Sequence, residues 1–240
     1  MEGGHVETQL EVAGTQLVAW YQRYETPSLQ SVGELLTRPD SLLGPEEYFN
    51  RAKIAQLFEI LEWHLGVVAE LHHDYGVDLS INIHNSMVDA EIDRDRFLEL
   101  IGREDHPVTF EFTETCPMPP VDISNRLLRN IRELGHRSSL DDFGAGFNGV
   151  SLLSDYDFDV VKIDRSLLTD IETQPQKQQA MRLLARTLDV LGKSHVVEGV
   201  ETEEVHKILL EAGFSVFQGY LFHRPEPLLG LISSARKEVV

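Results

Sequence analysis

The chain has 240 residues, 42% hydrophobic and 25% charged, enough to bury the core of one large domain or two small ones. Forty Asp and Glu against 21 Lys and Arg leave a formal charge of −19, which excludes polymeric DNA or RNA, because such partners are held by a basic face that displaces counterions. The single Cys116 excludes an internal disulfide and a Cys-rich zinc site; with no bilayer-length apolar run and no secretory pattern in MEGGHVETQL, the expectation is a cytoplasmic protein without membrane insertion.

No low-complexity linker divides the sequence, so residues 1–240 read as a single domain, with 1–15 as a loose N-terminal extension. Short apolar or alternating runs predict strands at residues 17–23, 32–38, 79–84, 108–115, 138–143, 160–164, 195–201 and 215–222. Between them, residues 46–73 place Phe58, Leu61, Leu65 and Val68 at helical spacing, and 121–134 follows Pro119-Pro120 and ends at Gly135. Two more helices are expected at 178–191 and at 203–212, the latter closed by Gly213. Strands alternating with helices predict an α/β fold, a modified TIM-type (β/α)8 barrel, with an open doubly wound sheet as the alternative. The link 23–32 is too short for a crossover helix, so the first strand is expected antiparallel to the rest.

The polar residues carry the functional information. Nearly every predicted strand is apolar until its C-terminal end and then carries an acid, an amide or a lysine. In order these are Glu34, Asn82, Glu111, Asp141 with Asp142, Lys162 with Asp164, Glu198 and Gln218. In a barrel those ends converge on one mouth, where active sites of this fold lie. For any single acid, helix capping is an equal alternative; for the whole series it is not. At roughly 5 Å and an effective dielectric near 20, each like-charged pair costs about 3 kcal/mol. Lys162 alone cannot neutralise the group, so protons or divalent cations must. A set of carboxylates plus an amide suits Mg²⁺ or Mn²⁺ rather than zinc or copper.

Other features are weaker. Residues 144–149 match G-x-G-x-x-G, but Asp141-Asp142 beside a pyrophosphate argues against a dinucleotide site and for a glycine-rich loop over the mouth. His72-His73 ends a helix, and His106, His136 and His206 stand alone at predicted loops or exposed faces. His84 shares a face with Asn82 and reads as a hydrogen-bonded rim residue, with metal ligation as the minor alternative. Arg38 could bind a phosphate through its planar fork or pair with a barrel acid.

In this order and spacing the motifs resemble the EAL domain family, the cyclic di-GMP phosphodiesterases, over nearly the whole chain. The naming motif E-x-L-x-R stands at Glu34-Leu35-Leu36-Thr37-Arg38. It is joined by Asn82 in SINIH, Glu111-Phe112-Thr113-Glu114, Asp141-Asp142-Phe143-Gly144, Lys162-Ile163-Asp164, Glu198-Gly199-Val200-Glu201 and Gln218-Gly219-Tyr220. The resemblance implies Glu34, Asn82, Glu111, Asp141 and Asp142 as ligands of two Mg²⁺ or Mn²⁺ ions. It implies Lys162, Glu198 and Asp164 as catalytic residues acting on the attacking water. Gln22, Leu36, Arg38 and Gln218 would bind substrate, and Glu114 would anchor the Asp-Phe-Gly loop. The implied reaction opens cyclic di-GMP to linear pGpG, and the implied assembly is a homodimer through residues 142–156.

The sequence departs from the family pattern at Arg23, Pro39, a shortened 39–45 segment, His84, Val197 and Asn148-Gly149. These positions touch strand edges and the substrate rim and leave the proposed ligands and the lysine in place. They motivate one alternative, a catalytically weak or inactive receptor for cyclic di-GMP or a protein-binding scaffold. Acids and a lysine around Mg²⁺ also suit an enolase-like proton abstraction, against which the motif order speaks.

Overall fold

The structure is a computed structural model, and it describes residues 6–28, 31–113, 118–145 and 151–232. The strands are β1 (Gln9–Val12), β2 (Thr15–Arg23), β3 (Ser31–Pro39), β4 (Val77–Ile83), β5 (Thr109–Thr113), β6 (Arg137–Phe143), β7 (Val160–Ile163), β8 (Ser194–Val197) and β9 (Glu226–Pro227). The helices are α1 (Pro45–Arg51), α2 (Ile54–Tyr75), α3 (Ser86–Asp89), α4 (Glu91–Ile101), α5 (Val121–Glu133), α6 (Ser151–Asp155), α7 (Pro175–Val190) and α8 (Glu203–Ala212).

β3 through β8 lie side by side in chain order, all parallel, whereas β2 pairs antiparallel with β3 and sets Gln22 opposite Glu34. The short link after Arg23 forces that hairpin, as expected from the sequence. The expected loose extension instead carries β1, which pairs antiparallel with β2 from Gln9↔Val18 to Val12↔Thr15 and buries Val6 and Val12. A four-residue strand carries too little alternation to be read from sequence.

The barrel does not close through a full ladder. The strand expected at 215–222 is reduced to single bridges, in which Phe217 joins Val197 on one side and Glu25 on the other. Gly219 explains why. A Cβ there would meet the Val200 carbonyl oxygen at 2.0 Å, so the chain presses against the β8 exit. It then turns at once, with the Phe222 and His223 amides donating to the Gly219 carbonyl.

Helices cover the outer face. α2 buries the predicted stripe Phe58, Leu61, Leu65 and Val68 together with Leu57 and Leu71. The expected helix 46–73 is broken at Ala52 and Lys53, both extended, where the Lys53 amide donates to the Gln56 side chain at 2.7 Å. α8 starts at Thr202, whose hydroxyl accepts from the Val205 amide, and ends at Gly213, left-handed at φ 106°. Between α4 and the outer face of β5, Phe97, Phe110 and Phe112 pack edge to face and are fully buried. His106 and His136, expected at loops or exposed faces, are buried; both His136 nitrogens are paired, to the Val108 amide and the Ile101 carbonyl. Among the described residues no helix is long and apolar enough to cross a membrane.

Candidate active site at the barrel mouth

The parallel run of strands delivers its C-terminal ends to one rim, and the register fixes which residues meet there. Asn82 lies opposite Glu111, and Thr113 opposite Asp141. Lys162, on β7, rises through the barrel axis and is 1% exposed. Its Nζ lies 2.7 Å from Glu111 Oε2, 2.8 Å from Glu198 Oε1, 3.0 Å from Asp141 Oδ1 and 3.3 Å from Glu34 Oε2. Four carboxylates from four segments thus surround one ammonium.

Glu34 is the best-satisfied of them. Asn82 Nδ2 donates to its Oε1 at 2.6 Å, and Gln218 Nε2 donates to its Oε2 at 2.9 Å. The same Gln218 amide also reaches Gln22 Oε1 at 3.0 Å, and Gln22 Nε2 donates to the His223 carbonyl. Gln22 and Gln218, expected at the substrate, therefore form a buried chain that ends on Glu34.

Two adjacent residues of a regular strand point to opposite faces, so Asp141 and Asp142 should diverge. They do not. The β6–β7 register shifts between Leu140 and Phe143, and Asp142 takes a left-handed φ of 58°, the geometry of a bulge that re-aims a side chain. Carboxylate oxygens of Asp141, Asp142 and Glu198 consequently come within 4.8 Å of one another. Asp142 accepts from Thr113 Oγ1 at 3.3 Å.

The electrostatics follow from this crowding. Burial would push the Glu34 carboxyl up, but Lys162 and the donated bonds from Gln218 and Asn82 outweigh it and hold the group below its ordinary range. Burial, reinforced by neighbouring acids, wins at the others. Glu111 is pushed up to about 7, Glu198 to about 8 and Asp142 to about 6. Burial alone would favour a neutral Lys162, yet Asp141, Glu111, Glu198 and Glu34 together raise it well above its usual value, so it stays charged.

This donor set fits divalent cations. Oxygen ligands predominate, negative charge exceeds the single ammonium, and the buried Asp141 Oδ1 has no hydrogen-bond partner although it faces Lys162. Glu34, Asn82, Glu111, Asp141 and Asp142 are the residues positioned to hold such ions.

Two clefts flank the cluster. One of about 430 Å³ is bordered by Leu36, Arg38, His84, Asn82 and Asp142. The other, of about 300 Å³, is bordered by Lys162, Asp164, Glu198 and Gln218. Arg38 is exposed, and no hydrogen bond or ion pair occupies its guanidinium among the described residues. His84 has both ring nitrogens engaged, with Ser86 Oγ at 2.7 Å and Asn50 Oδ1 at 3.0 Å, as the rim reading expects. Asp164 borders the cleft, but its carboxylate accepts from the Ser166 amide at 2.9 Å and caps the 3-10 turn Arg165–Leu168. Glu114 and residues 146–150, within both the glycine-rich loop and the expected dimer stretch, lie outside the described residues.

Sequence reasoning missed Tyr24 and Ser80. The Tyr24 hydroxyl donates to Glu111 Oε1 at 3.0 Å and lies 3.1 Å from Ser80 Oγ. Ser80 stands two residues from Asn82 on the same face of β4, and Tyr24 two residues beyond Gln22, just past the end of β2; that period was the available signal.

A parallel sheet whose C-terminal edge gathers carboxylates around one buried lysine defines an α/β barrel with an oxygen-rich, cation-ready mouth. The chain belongs to the EAL domain family, whose model matches residues 23–225. It is 34% identical over 154 residues to the cyclic di-GMP phosphodiesterase RocR of Pseudomonas aeruginosa, covering 63% of this chain and 39% of that protein. It is 28% identical over 226 residues to the cyclic di-GMP phosphodiesterase PdeR of Escherichia coli, covering 88% of this chain and 34% of the relative. The chain thus spans about a third to two fifths of these relatives' length. Among solved structures, the calcium/cyclic di-GMP complex of Klebsiella pneumoniae BlrP1 superposes with a TM-score of 0.73 at 27% identity, covering 87% of this chain and 55% of that one.

Proposed function

We propose that the protein is a divalent-metal-dependent phosphodiesterase that hydrolyses cyclic di-GMP to linear pGpG. The observation that carries this reading is the ring of Glu34, Glu111, Asp141 and Glu198 around Lys162, open to clefts on both sides. The names of the relatives and the BlrP1 complex support the substrate class.

Glu34, Asn82, Glu111, Asp141 and Asp142 would hold Mg²⁺ or Mn²⁺. Cations bound there acidify water and offset the charge that develops on the phosphoryl oxygens. Lys162, held charged by its carboxylates, offers a donor to the attacking water or to a phosphoryl oxygen. Glu198, in its ionised form, can take the proton that the water loses as its oxygen joins phosphorus. The bond from phosphorus to the ribose 3′-oxygen breaks, that oxygen takes a proton from solvent, and the ring opens. Arg38 and Leu36 contact the dinucleotide, Gln22 and Gln218 position Glu34, and Asp164 fixes the turn below Glu198. A homodimer through 142–156 belongs to the same reading, and light scattering that finds only a monomer removes it.

Chromatographic product analysis with the dinucleotide and either metal tests the proposal. The expected product is pGpG, lost in Glu34→Ala. Binding without turnover in the presence of either metal would instead make the protein a receptor, and absence of binding would make it a scaffold; either result overturns the enzyme reading.

A further inference from the structure

At the opposite end of the barrel, where the strands begin, the fold assembles histidines that stand apart in sequence. α2 ends in His72-His73, and the connection from α4 to β5 carries Glu104-Asp105-His106. His106 is 5% exposed, yet neither of its ring nitrogens has a hydrogen-bond partner. A buried imidazole without a partner is costly and calls for an explanation.

The surrounding distances supply one. His106 Nδ1 lies 3.7 Å from Asp105 Oδ1 and 3.8 Å from Glu104 Oε2. That is too far for a hydrogen bond, but close to the separation of about 3.3 Å between two donors on one tetrahedral zinc ion. His73 Nε2 lies 3.1 Å from the same Asp105 oxygen, and one ligand atom from each of His73, Asp105 and His106 falls within 4.8 Å of the others. His72 is differently employed. Its ring stacks on His106 at 4.8 Å, and its Nδ1 meets Asp78 Oδ1 at 2.6 Å, so it braces the His106 ring.

We propose that His73, Asp105 and His106 bind a zinc ion at the base of the barrel, with Glu104 as a fourth donor. Two imidazole nitrogens with carboxylate oxygen suit zinc, in contrast to the all-oxygen preference of the mouth. Burial, with His72 and His73 nearby, holds His106 below its usual basicity and leaves a nitrogen lone pair free at neutral pH. The ion would tie the end of α2 to the entry of β5. This site does not depend on any activity at the mouth.

The test uses the full chain, stripped with chelator and titrated with Zn²⁺ against a chromophoric competitor. Thermal unfolding and the visible absorption of the Co²⁺-substituted protein are followed in parallel. His73 and Asp105 have side chains 51% and 78% exposed, so His73→Ala and Asp105→Ala should fold normally. The expected result is one tight equivalent beyond any zinc that the mouth carboxylates take up, a midpoint raised by several degrees and a tetrahedral cobalt spectrum. All three should be kept in Glu198→Gln, with affinity down at least tenfold in His73→Ala and in Asp105→Ala. Failure of the wild type to bind zinc, or zinc binding unchanged in His73→Ala, overturns the site.

Discussion

Lys162 shows how one residue can set the chemistry of a whole mouth. Its stem crosses the barrel interior and its ammonium serves four acids at 2.7–3.3 Å, so no smaller or neutral side chain can take its place. Lys162→Met leaves those acids crowded together without their one counter-charge. Stability should fall by about 3–5 kcal/mol in chelator, with part of the loss recovered in Mn²⁺, and turnover should fall at least 10²-fold. Urea unfolding with and without metal checks this; unchanged stability in chelator would show that the lysine is not what holds the carboxylates. His64 is a second buried ionisable group, 2.7 Å from Thr37 Oγ1 behind β3, and burial pushes it down to about 3. Below its ordinary value near 6.5 the unfolded chain takes up a proton that the folded chain refuses, so stability falls with pH across that window. His64→Gln keeps a partner for Thr37 and removes this linkage. Between pH 6.5 and 4.5 the wild type should lose about 2 kcal/mol more than the variant, and parallel slopes would count against a neutral buried His64.

At the scale of elements, the bulge in β6 decides how many carboxylates face the mouth. Alternation along a strand predicts that only one of Asp141 and Asp142 points inward, whereas the resemblance of Asp141-Asp142-Phe143-Gly144 to the family motif implied both as ligands. Asp142 sustains this by adopting φ 58°, a conformation that costs a non-glycine residue on the order of 1 kcal/mol. Asp142→Gly should therefore raise stability by about 1 kcal/mol while lowering turnover at least tenfold, because the strained carboxylate is the useful one. A variant that is both less stable and fully active would refute this account. The strands themselves were legible because their alternating faces repeat over several residues. β1, α3 and α6, of four or five residues each, were not, since so few positions cannot establish a period, and α4 was missed because it buries only Phe97, Leu100 and Ile101 near its end.

For the whole molecule, the critical feature is the seam between β8 and β2, carried by Phe217 and by the packing of Gly219 on Val200. Gln218 reaches Glu34 only because the chain passes this close. Gly219→Ala would place a methyl group 2.0 Å from a backbone oxygen that cannot rotate away. Stability should drop by about 3 kcal/mol, and catalysis should drop with it as Gln218 withdraws. Hydrogen exchange should then accelerate first at Glu25, Val197 and Phe217; faster exchange confined to other strands would place the weak seam elsewhere.

The amino-acid sequence by itself determined the alternation of strands and helices, the antiparallel first pair, and the identity of nearly every oxygen at the mouth. Such information is local: a period of two, a short link, or an acid placed where an apolar run ends. Only the tertiary structure decided that Lys162 stands at the centre, that the segment around Phe217 bridges rather than pairs, that Asp141 and Asp142 converge, and that His73 meets Asp105 and His106. Each of these depends on segments far apart in the chain being held within a few ångströms, and that separation is set by packing and register, which no short stretch of sequence contains.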